Sequence, residues 1–218
     1  MRRGWGAWHA GAMLDSLRVS AAQKDSKWLM VVLHGLGDSL AGYRWLPDAM
    51  GLPWLNYQLV NAPDHYFGGY SWYDFAGVPG PGIERSRKLL VEHFDQLAAG
   101  GQPLDQTFLL GFSQGCLMTL EFALQYPAVL AGCVGISGYV HEPERLLGRL
   151  SAVARQQRIL VTHGTWDPLI PIDPVRQQME CLKKTGLNLD WREFRKEHTI
   201  AGEEELSVIR DFVKAVRK

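Results

Sequence analysis

Ser113 has the setting of an activated nucleophile. It stands in Gly111-Phe112-Ser113-Gln114-Gly115, directly after the apolar run 106–110. That run reads as a buried strand, and residues 114–126 read as a helix. A serine between strand and helix, with glycine two positions to either side, is the layout of a nucleophile elbow. The turn is so tight that the serine takes a strained backbone conformation. Bulk at the flanking positions would collide with the neighbouring strand and helix. The hydroxyl is thrust out at the sheet edge, and the Gln114 amide is left at a helix N-terminus facing a developing negative charge.

A serine hydroxyl is a poor nucleophile at neutral pH and needs a base and a group to orient that base. In open α/β sheets such residues gather beyond the carboxyl ends of strands. Asp167 lies in the turn 164–168, just past the apolar run 159–163, and is the candidate orienting acid. Asp-Pro also initiates turns, so shaping the loop is its alternative role. The base must be a histidine, because imidazole accepts and returns a proton near pH 7. There are seven. His9 lies near the N-terminus, His93 on a helix where a surface position is expected, and His141 at the start of another helical segment. His34, His65 and His163 follow strands but precede Asp167 in the chain. His198 alone gives the order serine, acid, histidine of one class of serine hydrolases. Its rival is His163, which otherwise reads as a strand-end histidine bonded to the backbone.

An oxyanion needs two backbone donors. Gln114 offers one. The loop His34-Gly35-Leu36-Gly37-Asp38-Ser39 offers the other, because Gly35 and Gly37 allow close approach and Leu36 presents an amide between them. A plain glycine turn is the alternative.

These residues require a scaffold, and the hydrophobic pattern supplies one. Apolar runs at 14–21 (weak), 28–34, 57–62, 107–111, 132–137 and 159–163 read as strands, and 189–194 alternates, as a less buried strand would. Ile83, Leu90, Phe94 and Leu97 share one helical face that ends at Gly100-Gly101. Leu206, Ile209, Val213 and Val216 form another, with Glu203, Glu204 and Glu205 in its first turn. The Gly/Pro-rich stretch 76–82 reads as a loop. Strands alternating with amphipathic helices imply an α/β fold with a mainly parallel sheet covered on both faces. Without repeats or linkers, one domain over 13–218 is expected, after a flexible extension at 1–12; Met13 is an alternative start.

The chain has 218 residues and equal numbers of acidic and basic side chains. Nucleic acid and anionic membranes are excluded as expected partners, because both demand a basic excess. No apolar stretch approaches the roughly 20 residues that span a bilayer, so no stable membrane insertion is expected. Cys116, Cys133 and Cys181 are an odd, widely spaced set without a Cys-x-x-Cys pair. That argues against a disulfide framework and a zinc site, and for reduced thiols in the cytoplasm. Neither metal nor organic cofactor is expected.

Together, HGLGDS at 34–39, NAP at 61–63, SWYD at 71–74, GFSQG at 111–115, HGTWDPLIP at 163–171 and EHTI at 197–200 resemble the phospholipase/carboxylesterase family. This branch of the α/β-hydrolases holds small bacterial carboxylesterases and acyl-protein thioesterases. The resemblance runs from about Trp28 to the C-terminus. It implies an α/β-hydrolase fold without a large lid, hydrolysis of esters or thioesters, and allows a homodimer. By motif position it places Ser113 as nucleophile, Asp167 as acid, His198 as base, and the Leu36 and Gln114 amides in the oxyanion hole. Two features depart from the family pattern: Cys116, where glycine or alanine is usual, and the aromatic, glycine-rich segment 64–69.

Tyr66, Phe67, Tyr70, Trp72, Tyr73 and Phe75 crowd into ten residues and suit an apolar acyl or aryl pocket. Tyr66, Phe67 and Tyr70 are expected nearest the substrate, Trp72 in the core, and Asp74 as a loop-fixing acceptor. Trp166 and Leu169-Ile170 are expected as a further apolar wall. The resulting expectation is a serine carboxylesterase acting on a small-molecule ester of short to medium acyl chain. Thioesterase or lysophospholipase chemistry, and a non-catalytic binding module on the same scaffold, are the alternatives.

Overall fold

A computed structural model describes residues 14–217. The expected extension at 1–12 and the alternative start at Met13 lie outside the described residues.

The central sheet has seven strands: β1 (Ser16–Val19), β2 (Leu29–Leu33), β3 (Asn56–Val60), β6 (Thr107–Phe112), β7 (Gly132–Ile136), β8 (Ile159–Gly164) and β9 (Leu189–Phe194). Their spatial order is β1-β3-β2-β6-β7-β8-β9. Only β1 runs antiparallel, along β3; the other pairings are parallel. Two further strands, β4 (Asp64–Tyr66) and β5 (Gly69–Ser71), form a separate hairpin. The helices are α1 (Leu46–Met50), α2 (Pro79–Ala99), α3 (Gln114–Ala123), α4 (Pro143–Leu147), α5 (Ile172–Lys184) and α6 (Gly202–Lys214).

Side chains alternate across a strand, so each central strand feeds two cores. Val31, Leu33, Leu109, Cys133, Ile159 and Val161 point to the face covered by α2, α3 and α5. Met30, Val32, Phe108, Leu110, Val134 and Leu160 point to the face covered by α1 and α6. Both faces are therefore buried, which explains why these strands read as continuous apolar runs. At the edge, β9 is only partly covered, with Leu189 and Phe194 buried at its two ends and residues 190–193 exposed or half-buried.

Two sequence expectations need correction. Residues 79–82 belong to α2 and not to a loop: Pro79 occupies the first helical position, where its missing N–H costs nothing. His93 is buried beside Phe94, their ring centroids 6.2 Å apart, and is not on the surface. Glu205 lies in the first turn of α6, as expected. It is buried and pairs with Lys196 at 2.5 Å.

Candidate active site

The carboxyl ends of β6, β8 and β9 bring the chemistry together. Ser113 follows β6 at φ 54° and ψ −115°, outside the helical and extended regions that an L-residue prefers. Steric exclusion explains the glycines on either side. A Cβ on Gly115 would run into the Leu33 carbonyl, and one on Gly111 into the Gly115 carbonyl. The Ser113 amide is anchored to the Ile136 carbonyl at 2.8 Å, and its own carbonyl starts α3 by accepting from Cys116 and Leu117.

His198 Nε2 lies 2.9 Å from Ser113 Oγ, and His198 Nδ1 lies 2.7 Å from Asp167 Oδ2. A carboxylate only accepts, so Nδ1 carries the imidazole proton and Nε2 is free to accept from the serine. The other Asp167 oxygen accepts from the Leu169 and Ile170 amides at 3.0 and 2.9 Å. Burial of Asp167 opposes ionisation. The Ile170 amide, His198 and the Leu169 amide outweigh it and hold the carboxyl below its ordinary pKa. The acid is thus ionised and fixed in orientation. His163 lies behind it, fully buried, donating from Nε2 to the Ile170 carbonyl at 2.9 Å and stacked on Trp191. Its pKa is lowered by burial.

The loop after β2 is held from both sides. Gly37 N–H donates to the Tyr70 carbonyl and Tyr70 N–H donates to the Asp38 carbonyl, each at 2.9 Å, so β5 is stitched to it. The Leu36 amide has no protein acceptor among the described residues. The Gln114 side chain is also tied down. It accepts from the Trp72 amide at 3.0 Å and donates to the Tyr73 carbonyl at 3.0 Å. Trp72 is wholly buried and donates from Nε1 to the His34 carbonyl. Asp74 accepts from the Ala76 and Gly77 amides.

A cavity of about 340 Å³ opens beside Ser113 and His198, walled by Tyr73, Phe75, Tyr139, Leu169 and Ile170. A second cleft lies across Phe112 and His198, beside Asp38, Trp45 and Thr199. Of the six residues expected at the substrate, Leu169 and Ile170 line the cavity. Trp166 is 63% exposed and Phe67 96% exposed, and neither lines it. Tyr66 is packed edge-on against Phe67, and Tyr70 lies against His65. Neither lines the cavity, and Tyr70 supports the glycine loop through its backbone. The wall residues absent from that expected set are Tyr73, Phe75 and Tyr139. Tyr73 and Phe75 belong to the aromatic cluster visible in the sequence, whereas Tyr139 carries no local signal.

Sheet order, elbow and strand-end residues define an α/β-hydrolase. The model of the phospholipase/carboxylesterase family matches residues 14–217, and the chain belongs to that family. It is a serine hydrolase of the carboxylesterase class. Among similar proteins, the acyl-protein thioesterase 1 of Schizosaccharomyces pombe is 34% identical over 159 residues, 65% of this chain and 69% of that protein. Acyl-protein thioesterase 1 of Candida albicans is 29% identical over 93% of this chain and 98% of its own length. The crystal structure of esterase PE8 matches with a TM-score of 0.80 at 26% identity, covering 94% of this chain and all of that one. Among the described residues no helix is long and apolar enough to cross a membrane.

Proposed function

We propose that the protein hydrolyses carboxylic esters of short to medium acyl chain through an acyl-enzyme on Ser113. The observation that carries this reading is the continuous line from Asp167 Oδ2 through the His198 ring to Ser113 Oγ, with contacts of 2.7 and 2.9 Å. Ser113 Oγ attacks the ester carbonyl while His198 Nε2 takes its proton. The Leu36 and Gln114 amides stabilise the oxyanion. Collapse breaks the acyl–oxygen bond, and the departing alkoxide takes the proton from His198. Water then attacks the acyl carbonyl, giving its proton to His198 and releasing the acid as that proton returns to Ser113.

The cavity volume lies at the small end of the range for ligand pockets, which supports a short to medium acyl group. The second cleft, across His198, suits the alcohol. Three unpaired cysteines support a reducing, cytoplasmic setting. Relatives named acyl-protein thioesterases favour a second reading, thioester hydrolysis at the same serine.

The test is hydrolysis of p-nitrophenyl esters from acetyl to dodecanoyl, beside matched thioesters. A maximum at short or medium chains on oxygen esters, lost in Ser113→Ala, is expected. Higher kcat/KM on thioesters would move the assignment to the second reading. Full activity in Ser113→Ala would remove the serine from the mechanism.

A further inference from the structure

Two phenols meet in the wall of the cavity. Tyr73 and Tyr139 both line it, and their hydroxyls lie 3.4 Å apart. Among the described residues neither hydroxyl has another hydrogen-bond partner. Each phenol carries one proton, so the pair holds two protons and uses one. Tyr73 is only 1% exposed. Tyr73 donates to Tyr139. Half-buried Tyr139 keeps the spare O–H.

That donor is firmly placed. Val140, the next residue, donates its amide to Gln178 Oε1 at 2.9 Å and accepts from Gln178 Nε2 at 3.0 Å. The bidentate clamp fixes the Tyr139 backbone to α5. Phe75, Phe112, Leu169 and Ile170 supply apolar wall, and Asp38 lines the cavity with Ser113, Gln114 and His198. Among the described residues no lysine or arginine lines the cavity and Asp38 does, so an anionic acyl terminus would be desolvated without a partner. A plain alkyl chain would strand the Tyr139 proton without an acceptor.

From these contacts we infer that the cavity selects acyl groups carrying a neutral hydrogen-bond acceptor, such as a ketone or ether oxygen, distal to the ester carbonyl, and that Tyr139 is the specificity-determining donor. The inference rests on the ester-hydrolase reading above.

The experiment compares p-nitrophenyl 4-oxopentanoate, 5-oxohexanoate and 6-oxoheptanoate with the plain pentanoate, hexanoate and heptanoate. Each ratio is corrected for alkaline hydrolysis of the same ester. At one chain length the oxo ester is expected to exceed its plain partner in kcat/KM by about tenfold, the discrimination that one buried hydrogen bond supplies. Tyr139→Phe and the double variant Tyr73→Phe/Tyr139→Phe are expected to bring that ratio to about one. A wild-type ratio near one at all three lengths overturns the inference, whatever the variants do. So does a preference that survives in Tyr139→Phe, including one accompanied by a lower Tm, which would make the phenol pair structural. Absence of hydrolysis for every plain ester would instead remove the underlying esterase reading, and the inference with it.

Discussion

His34 Nδ1 lies 2.6 Å from the carbonyl of Gly35, while its Nε2 faces the Ala62 amide at 3.0 Å. The Ala62 N–H makes Nε2 an acceptor, so Nδ1 carries the proton and donates to Gly35. The Gly35 carbonyl belongs to the same peptide unit as the Leu36 N–H. In a trans peptide the two point in opposite directions. Holding the carbonyl therefore aims the amide, and the buried histidine orients the proposed oxyanion donor without touching substrate.

His34→Phe is accordingly expected to lower kcat by about 10- to 100-fold with KM nearly unchanged. This is below the full cost of deleting an oxyanion donor, because the amide remains but is free to turn. His34→Gln, which can still donate to Gly35, should recover part of the loss. Steady-state kinetics on one p-nitrophenyl ester decide this. A parallel fall in the rate of fluorophosphonate labelling would place the defect at the chemical step. Equal kcat in wild type and His34→Phe would contradict the peptide-orienting role.

The strained elbow makes a second prediction. Ser113 has φ 54°, a conformation that glycine adopts without steric cost. Ser113→Ala removes the hydroxyl and keeps the strain. Ser113→Gly removes both. The glycine variant is expected to unfold about 1 kcal/mol later than the alanine variant in urea, the strain relief exceeding the entropy that glycine loses on folding. Both variants are expected to be inactive. A glycine variant less stable than the alanine one would show that the elbow is not under strain.

The parts legible in the sequence are those set by local chemistry. The elbow was readable because only glycine fits beside the Leu33 and Gly115 carbonyls, and steric exclusion leaves a motif. The central strands were readable because both faces are buried. Much of α2 was visible as an apolar stripe, but its first turn was masked by two prolines and two glycines that the helix N-terminus tolerates. The cavity wall was less legible. Tyr139 follows β7, far in sequence from Tyr73, and only the sheet order brings the two together. Phe67, conspicuous in the sequence, instead stands at a hairpin tip with φ 49°. Aromatic density marked the right region, but not which rings face inward, because that depends on how the hairpin is stitched to the glycine loop.

Buried neutral histidines give a pH dependence. Burial lowers the pKa of His163 and of His34. In the unfolded chain each imidazole titrates near about 6.5. Below that pH the unfolded state binds protons that the folded state does not take up, so the stabilisation present above about pH 6.5 is lost progressively as pH falls. His163→Gln keeps a donor for the Ile170 carbonyl and removes one of these groups. Between pH 7.5 and 5.5 the wild-type Tm should fall more steeply than that of the variant. Parallel Tm curves would mean that His163 takes up its proton equally in both states.

The Lys196–Glu205 pair gives the last prediction. Their side chains are 2% and 0% exposed and meet at 2.5 Å, and Glu205 also accepts from the Ala201 amide at 2.7 Å. Lys196 and Ala201 bracket His198, so the pair fastens the loop that carries the proposed base to α6. Desolvating two charges costs about as much as their attraction returns, whereas leaving one charge alone is costly. Lys196→Met should therefore destabilise by about 3 to 5 kcal/mol, because it strands the Glu205 carboxylate. Adding Glu205→Leu should return stability to within about 1 kcal/mol of wild type or above it. Urea unfolding of the two single variants and the double variant closes the cycle, and the coupling energy should be large. Additive losses would show that the two charges are solvated independently and that the loop is held by its backbone bonds, including the one from the Trp166 amide to the Lys196 carbonyl at 3.1 Å.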